Sequence, residues 1–581
     1  MVEAFNRVRR SKYFVPSLAV IIAVLCGLFF YNHFSIYYYI NDDSTMRNIA
    51  SGAYSGEPDA HVIFIQYVLG FIMSSLYKAI PNIDWYGTIL FSLHFICLIF
   101  ILYRVMTGLK EKNRLLLCAA TIVVFVMIDI PHIVGSFQFT TTAAICGATA
   151  LFLFISMPKG ISGKGFVLNC LSIGFFVVAS YCVRDKVLLM MVPFAVVAWV
   201  YRMIREKDFK GAIRRYLIFC VAVVVALLAV IGVEETAYSS KEWKEYKEFN
   251  SARSKILDYY GYPEYDTHQE AYEEMGISRE EYELLKNYTL NFSSSLTVDK
   301  YIELADYAQE VYEQEHPLSQ RFGEIIKNTV NYSLNIMYSG KLAVALSLYL
   351  LLVFAALYQK KYRMLILLIA IFICREAVYL YLVIMNRFPN RIHDSLILCD
   401  FAIIVGYMFW FGIFRKMELP KNKVSLLSYI AILGVAGGSS YLPYYSYTNA
   451  AMGEDTARVV NEYCTENRLN GRYILDNSGF TVGEDLFTFR RDNSYINYLT
   501  YGWTCNSALY LEKAENMGIK NIDKALLEED VYLIETADAV DADIAGVIID
   551  YYSSIGISVD YEVVDKIPVS LGEYRVLKFY Q

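Results

Sequence analysis

Charged side chains are scarce in this sequence, 19% of 581 residues, against about 25% in soluble globular domains. With 56% of residues hydrophobic, that shortage excludes an ordinary soluble enzyme. Phosphate-cradling motifs are missing too. The glycines form neither a GxGxxG turn nor a P-loop, so nothing points to nucleotide binding. None of the 11 cysteines stands in CxxC or Cys/His ligand spacing, which speaks against zinc. Nine of those 11 lie in apolar stretches, where cysteine behaves as a small buried hydrophobe. Cys464 and Cys505 share the last polar segment and could pair outside the cell. No basic polar segment occurs, which makes nucleic acid a poor partner.

What is present is a sorted chain. The net charge of −7 is unevenly placed. Residues 236–337 hold 19 acidic and 10 basic side chains, a net of −9. Residues 442–581 hold 23 acidic and 11 basic, a net of −12. The remaining, mostly apolar chain therefore carries +14, which is −7 less −21. Eleven apolar runs approach or exceed the ~20 residues of a transmembrane helix. They lie at 13–40, 86–106, 115–134, 141–157, 166–183, 187–203, 216–234, 341–358, 363–385, 395–414 and 424–441. Arg7, Arg9, Arg10 and Lys12 precede the first run, which is too long for a signal-peptide core and lacks a small-residue cleavage site. A further run, 61–80, contains Gln66 and Lys78 and ends at Pro81. Counted as a span, it would invert every later loop. Left in the outer interface, it puts inside 23 of the 31 basic residues (52 less 21) outside the two acidic segments, as the positive-inside rule requires.

The sequence thus predicts an α-helical polytopic membrane protein with about 11 transmembrane helices, N-terminus inside and C-terminus outside. An N-terminal transmembrane module, 1–235, carries the first external loop at 41–85. A helical extracytoplasmic segment follows at 236–337, then C-terminal transmembrane helices at 338–441. The end, 442–581, is a small extracytoplasmic α/β domain. Within 236–337, Thr267 with Glu270 and Ser278 with Glu281 match the capping box, and the many tyrosines read as packing of amphipathic helices. Within 442–581, helices near 454–467, 506–517 and 541–554 alternate with strands at 472–476, 531–535, 558–565 and 573–580.

Chemistry concentrates after the first span. Asp42 and Asp43 are adjacent carboxylates at a helix exit, with Glu57, Asp59 and His61 within 20 residues. Carboxylates at the hydrocarbon boundary are costly unless solvated or used, and such a group can hold a general base, a divalent cation or both. The acidic pair, the Gly56/Pro58/His61 turn, the interfacial apolar helix and Asp84-Trp85 before the second span resemble the GT-C superfamily. Its members are polytopic glycosyltransferases that use lipid-phosphate-linked sugars. The resemblance is clearest over residues 14–110, and is greatest to bacterial members with an outward C-terminal domain. It implies a catalytic aspartate at Asp42 or Asp43, a polyprenyl-phosphate-linked sugar as donor, and an extracytoplasmic glycan, lipid or protein as acceptor. It further implies, for some members, a nearby metal, toward which Glu57 and Asp59 are the acidic candidates. A divalent cation, Mg or Mn, is the one cofactor to weigh.

A sugar already activated on a lipid phosphate needs no nucleotide. Its departing phosphate gains negative charge, which calls for fixed cations at the outer interface. Arg387, Arg391 and His393 lie between spans on that side, Arg184 lies in a turn beside Asp185, and Arg375 with Glu376 lies inside a span. Together with Glu57, Asp59 and His61 these are the expected substrate-binding residues. Each has a structural alternative: Arg184 neutralised by Asp185, Arg387 and Arg391 snorkelling to headgroups, Arg375 in an interhelical pair. Two rival functions differ in kind. A lipid or solute transporter or flippase would use Arg375, Glu376 and Asp400 near the midplane, and a non-catalytic scaffold would bind cell wall through its external domains.

Overall fold

The structure is a computed structural model that describes residues 13–34, 36, 38, 41–107, 137–158, 160–206, 208–335, 340–410, 458–466, 469–476, 496–536, 543–569 and 572–581. The expected spans at 115–134 and 424–441 lie outside the described residues. In chain order the first helices are α1 (Phe14–His33), α2 (Asn41–Ser51), α3 (Tyr67–Ala79), α4 (Trp85–Thr107), α5 (Phe139–Ser156), α6 (Gly163–Val183), α7 (Asp185–Arg205) and α8 (Phe209–Ala237). The acidic segment 236–337 contributes α9 (Lys241–Lys255), α10 (Gln269–Glu274), α11 (Arg279–Lys286), α12 (Val298–Glu315) and α13 (Leu318–Leu334). The chain then returns through α14 (Gly340–Tyr358), α15 (Tyr362–Ile384) and α16 (Asn390–Trp410).

The protein is polytopic and predominantly helical. Seven described helices are long and apolar enough to cross a membrane: α1, α4, α5, α6, α8, α14 and α15. Helix α5 is their hub, with residues 139 to 155 all buried against α4, α6, α7 and α16. Its C-terminal end is closed by Arg202, whose guanidinium donates to the carbonyls of Phe154, Met157 and Pro158, a favourable place for a cation. Helix α3 has 13 residues, or about 20 Å, short of a ~30 Å hydrocarbon layer. The preceding loop packs closely against it at Gly70. A Cβ there would sit 2.2 Å from the Ala60 carbonyl oxygen.

The C-terminal part holds a five-stranded sheet of β1 (Arg472–Leu475), β2 (Tyr498–Thr500), β3 (Val531–Thr536), β4 (Asp560–Val569) and β5 (Gly572–Tyr580), in the order β2-β1-β3-β5-β4. β1 runs parallel to β2 and β3, while β5 is antiparallel to β3 and β4. Helices α17 (Ala508–Asn516), α18 (Ile522–Ala525) and α19 (Ile544–Ser554) cover it. The two acidic segments share one apolar core. Trp243, Phe249, Tyr282, Leu304, Leu509, Leu533 and Ile548 all belong to it.

Two expectations need correcting. Cys464 and Cys505 are both buried free thiols in two different apolar clusters, one with helix 458–466 and one the core that the two acidic segments share. They form no disulfide. The Ser278–Glu281 capping box is made at α11. Thr267 makes none, because it closes the 3-10 turn Tyr265–Thr267 and the next helix starts after His268.

Candidate active site

Helix α2 lies where the two cores meet. Met46 and Ala50 belong to the core of the long apolar helices, Ile49 and the following Tyr54 to the core shared by the two acidic segments. This split of its apolar positions fixes the rotation of α2 and thereby where Asp42 and Asp43 sit. Asp43 is fully buried, at 0% exposure. Its Oδ1 accepts from the Tyr86 hydroxyl at 2.7 Å and from the Phe139 N–H at 3.0 Å, so the carboxylate caps the positive end of the central helix α5. Its Oδ2 is buried with no hydrogen-bond partner among the described residues. Burial pushes the Asp43 carboxyl up to about 8, against both of those hydrogen bonds. Tyr86 is held in turn by its backbone N–H, which donates to the Tyr77 hydroxyl at 3.0 Å, and Tyr77 donates to Asp84 at 2.6 Å.

Asp42 is only half-buried, and its carboxylate bonds no described residue. Burial raises its pKa, opposed by the positive charges of Arg391, Arg184 and Arg253, in that order. These arginines come from three elements: the start of α16, the α6–α7 turn and α9. Arg184 spreads its guanidinium over the rings of Phe64 and Phe139, at 5.1 and 4.9 Å, and neither it nor Arg391 forms a hydrogen bond or close ion pair through its guanidinium with a described residue. Arg253 donates to Asn250 at 2.9 and 3.1 Å. Arg387 lies beside them but is partly engaged, 2.9 Å from Asp258 and over the Tyr259 ring at 5.0 Å.

The other expected site residues lie elsewhere. Glu57 is exposed. His61 bonds Asp59 at 2.7 Å through Nδ1, reaches the Ala237 carbonyl at 3.2 Å through Nε2, and stacks on Trp243 at 4.8 Å. Burial works against charge on both partners, yet their mutual bond keeps Asp59 below and His61 above the usual range. This pair pins the loop after α2 onto the end of α8. His393 is buried and contacts the Tyr332 carbonyl at 3.0 Å. Arg375 is buried in the bundle, where it meets Asp400 at 2.6 Å, the Ser333 carbonyl at 2.9 Å and Glu376. Arg253 and Tyr86, which the sequence does not single out, also act on the acidic pair, one by its charge and one by a hydrogen bond.

A divalent cation fits this donor set poorly. Among the described residues no group of three or more His, Cys, Asp or Glu side chains could hold a metal, and the two carboxylates of α2 already face three guanidiniums. The arrangement suits a ligand that brings its own anion to the arginines and a proton to the carboxylates.

No protein-family model matches the chain, and no curated protein does. Among solved structures, it is similar to ArnT from Cupriavidus metallidurans bound to undecaprenyl phosphate. That likeness covers 98% of this chain and 98% of ArnT, at 10% identity and a TM-score of 0.39. An overlap that low carries no residue roles across.

Proposed function

We propose that this protein is a membrane glycosyltransferase of the GT-C type. It moves a sugar from a polyprenyl-phosphate carrier to an extracytoplasmic acceptor, a cell-surface glycan, lipid or protein, with inversion at the anomeric carbon. The observation that carries this reading is the pairing of unbonded groups of opposite sign at one place. Among the described residues the Asp42 carboxylate has no hydrogen-bond partner, and neither have the Arg184 and Arg391 guanidiniums whose positive charge acts on it.

Asp42 is the base. It is half-buried, so an acceptor hydroxyl can reach it, and the arginines favour its ionised form. Asp43 is committed to Tyr86 and α5, and burial keeps it protonated near neutral pH. It positions α2. As the acceptor oxygen attacks the anomeric carbon, its proton passes to the Asp42 carboxylate. The new C–O bond forms as the bond from the sugar to the carrier phosphate breaks. The electron pair leaves with the phosphate, whose growing charge Arg391 and Arg184 balance.

The test is turnover of a synthetic polyprenyl-phosphate-sugar by purified protein, beside the Asp42→Asn/Asp43→Asn variant. Release of polyprenyl phosphate that disappears in the variant supports the reading. Equal release from both would sink the catalytic assignment.

A further inference from the structure

We propose that a groove on the outward α/β domain binds a neutral saccharide chain. The groove has a volume of about 510 Å³ and is lined by Asn470, Gly471, Arg472, Asn497, Asn516 and Asp530, among others. It opens where β1 begins and α17 ends. Gly471 lets the chain pass close against β3, for a Cβ there would fall 2.3 Å from the Tyr532 ring and 2.8 Å from the Asp530 carbonyl oxygen.

The chemistry of the lining selects the ligand. Arg472 has all five N–H groups engaged, by Asp530, Glu528 and the carbonyls of Met517 and Gly518. A phosphate or acidic polymer would therefore find two carboxylates and no free guanidinium N–H. An apolar ligand would strand amides without partners. Those amides are what the groove offers. Asn470 and Asn516 bond no described residue through their side chains, and Asn497 spends only its N–H, on the Cys464 carbonyl at 3.2 Å. An amide presents a donor and an acceptor side by side, which matches vicinal hydroxyls on an uncharged sugar.

The groove also adjoins the candidate active site along the chain. Ile496, next to Asn497, donates its N–H to the Ala53 carbonyl at 2.8 Å, just after α2. Beyond it, Lys513 lies over the rings of Tyr498 and Tyr54, at 5.7 and 4.7 Å. A chain held here is placed as acceptor or product; that role rests on the glycosyl-transfer reading, whereas binding does not.

The experiment passes detergent-solubilised full-length protein over an immobilised panel of neutral gluco-, manno- and galacto-oligosaccharides, with uronic-acid oligosaccharides alongside. The comparison protein is Asn470→Gly/Asn516→Ala, which removes two exposed amides and leaves the backbone at 470, with φ of 48°, free to keep its turn. At least one neutral series should be retained, with affinity roughly tenfold lower in the variant, as expected for lost hydrogen bonds. No retention of any neutral series overturns the proposal. So does equal retention by the variant, or preference for the acidic series. Asp42→Asn should bind the same oligosaccharide as the parent. Binding without turnover in the parent would therefore count against the glycosyl-transfer reading and leave the groove standing.

Discussion

Arg375 and Asp400 meet inside the helix bundle, Asp42, Asp43 and their arginines where it meets the core of the two acidic segments, and among the described residues the charges of the first group are all bonded. The Asp400 oxygens accept from Arg375 and from the Tyr349 hydroxyl, at 2.6 and 3.1 Å. The guanidinium also reaches Glu376 and the Ser333 carbonyl and lies 4.5 Å from the Tyr379 ring. At the Asp42/Asp43 site a buried carboxylate oxygen and two guanidiniums have no hydrogen-bond partner among the described residues. A charge held in low dielectric without partners is expensive. That difference is what the proposed reading turns on: a ligand at the open group, a structural joint at the closed one.

Breaking the open site should have the largest effect on chemistry. Asp42→Asn should lower turnover by about 10²–10⁴-fold, the range for loss of a positioned proton acceptor, with thermal stability unchanged. Breaking the closed joint should instead cost stability. Arg375→Ala leaves Asp400 buried and uncompensated, a loss of about 3–5 kcal/mol, read as a fall in folded yield and melting temperature.

Smaller effects sharpen the contrast. Arg391→Ala should raise the KM for the donor by about tenfold, one charge-assisted hydrogen bond, and leave the acceptor KM nearly unmoved. A further effect concerns pH. Folded Asp43 keeps its proton up to about 8, whereas the unfolded chain loses it near the ordinary carboxylate value of about 4. Between those values the folded state binds more protons, so this group's contribution to stability is present at low pH and is lost as pH rises toward 8. Asp43→Asn should flatten that fall. Thermal melts of both proteins from pH 5 to 8.5 measure it.

Much of this was legible in the residues. Alternation and glycine placement located β1, β3, β4, β5 and the helices α17 and α19 to within a few residues. Strand β2 was missed because three residues, Tyr498–Thr500, are too few to show a period of two. The acidic pair and two of its arginines were legible because charges in apolar surroundings stand out. Arg253 was not, since it lies in a segment with ten basic residues and looks like solvated surface. A signal existed. Tyr246, Phe249 and Arg253 fall at helical spacing on one face, and all three are buried. What no single segment could reveal is that both acidic segments fold into one outward core, because that depends on contacts such as the Tyr246 hydroxyl to the Trp503 carbonyl, 3.1 Å apart and 257 positions distant in sequence.

The most direct test measures turnover per folded molecule in Asp42→Asn and Asp400→Asn with the same polyprenyl-phosphate-sugar donor. The account predicts that Asp42→Asn loses turnover while melting like the parent, and that Asp400→Asn melts lower while each folded molecule still turns over. The reverse, full turnover in Asp42→Asn and none in folded Asp400→Asn, would move the functional centre into the bundle and contradict it.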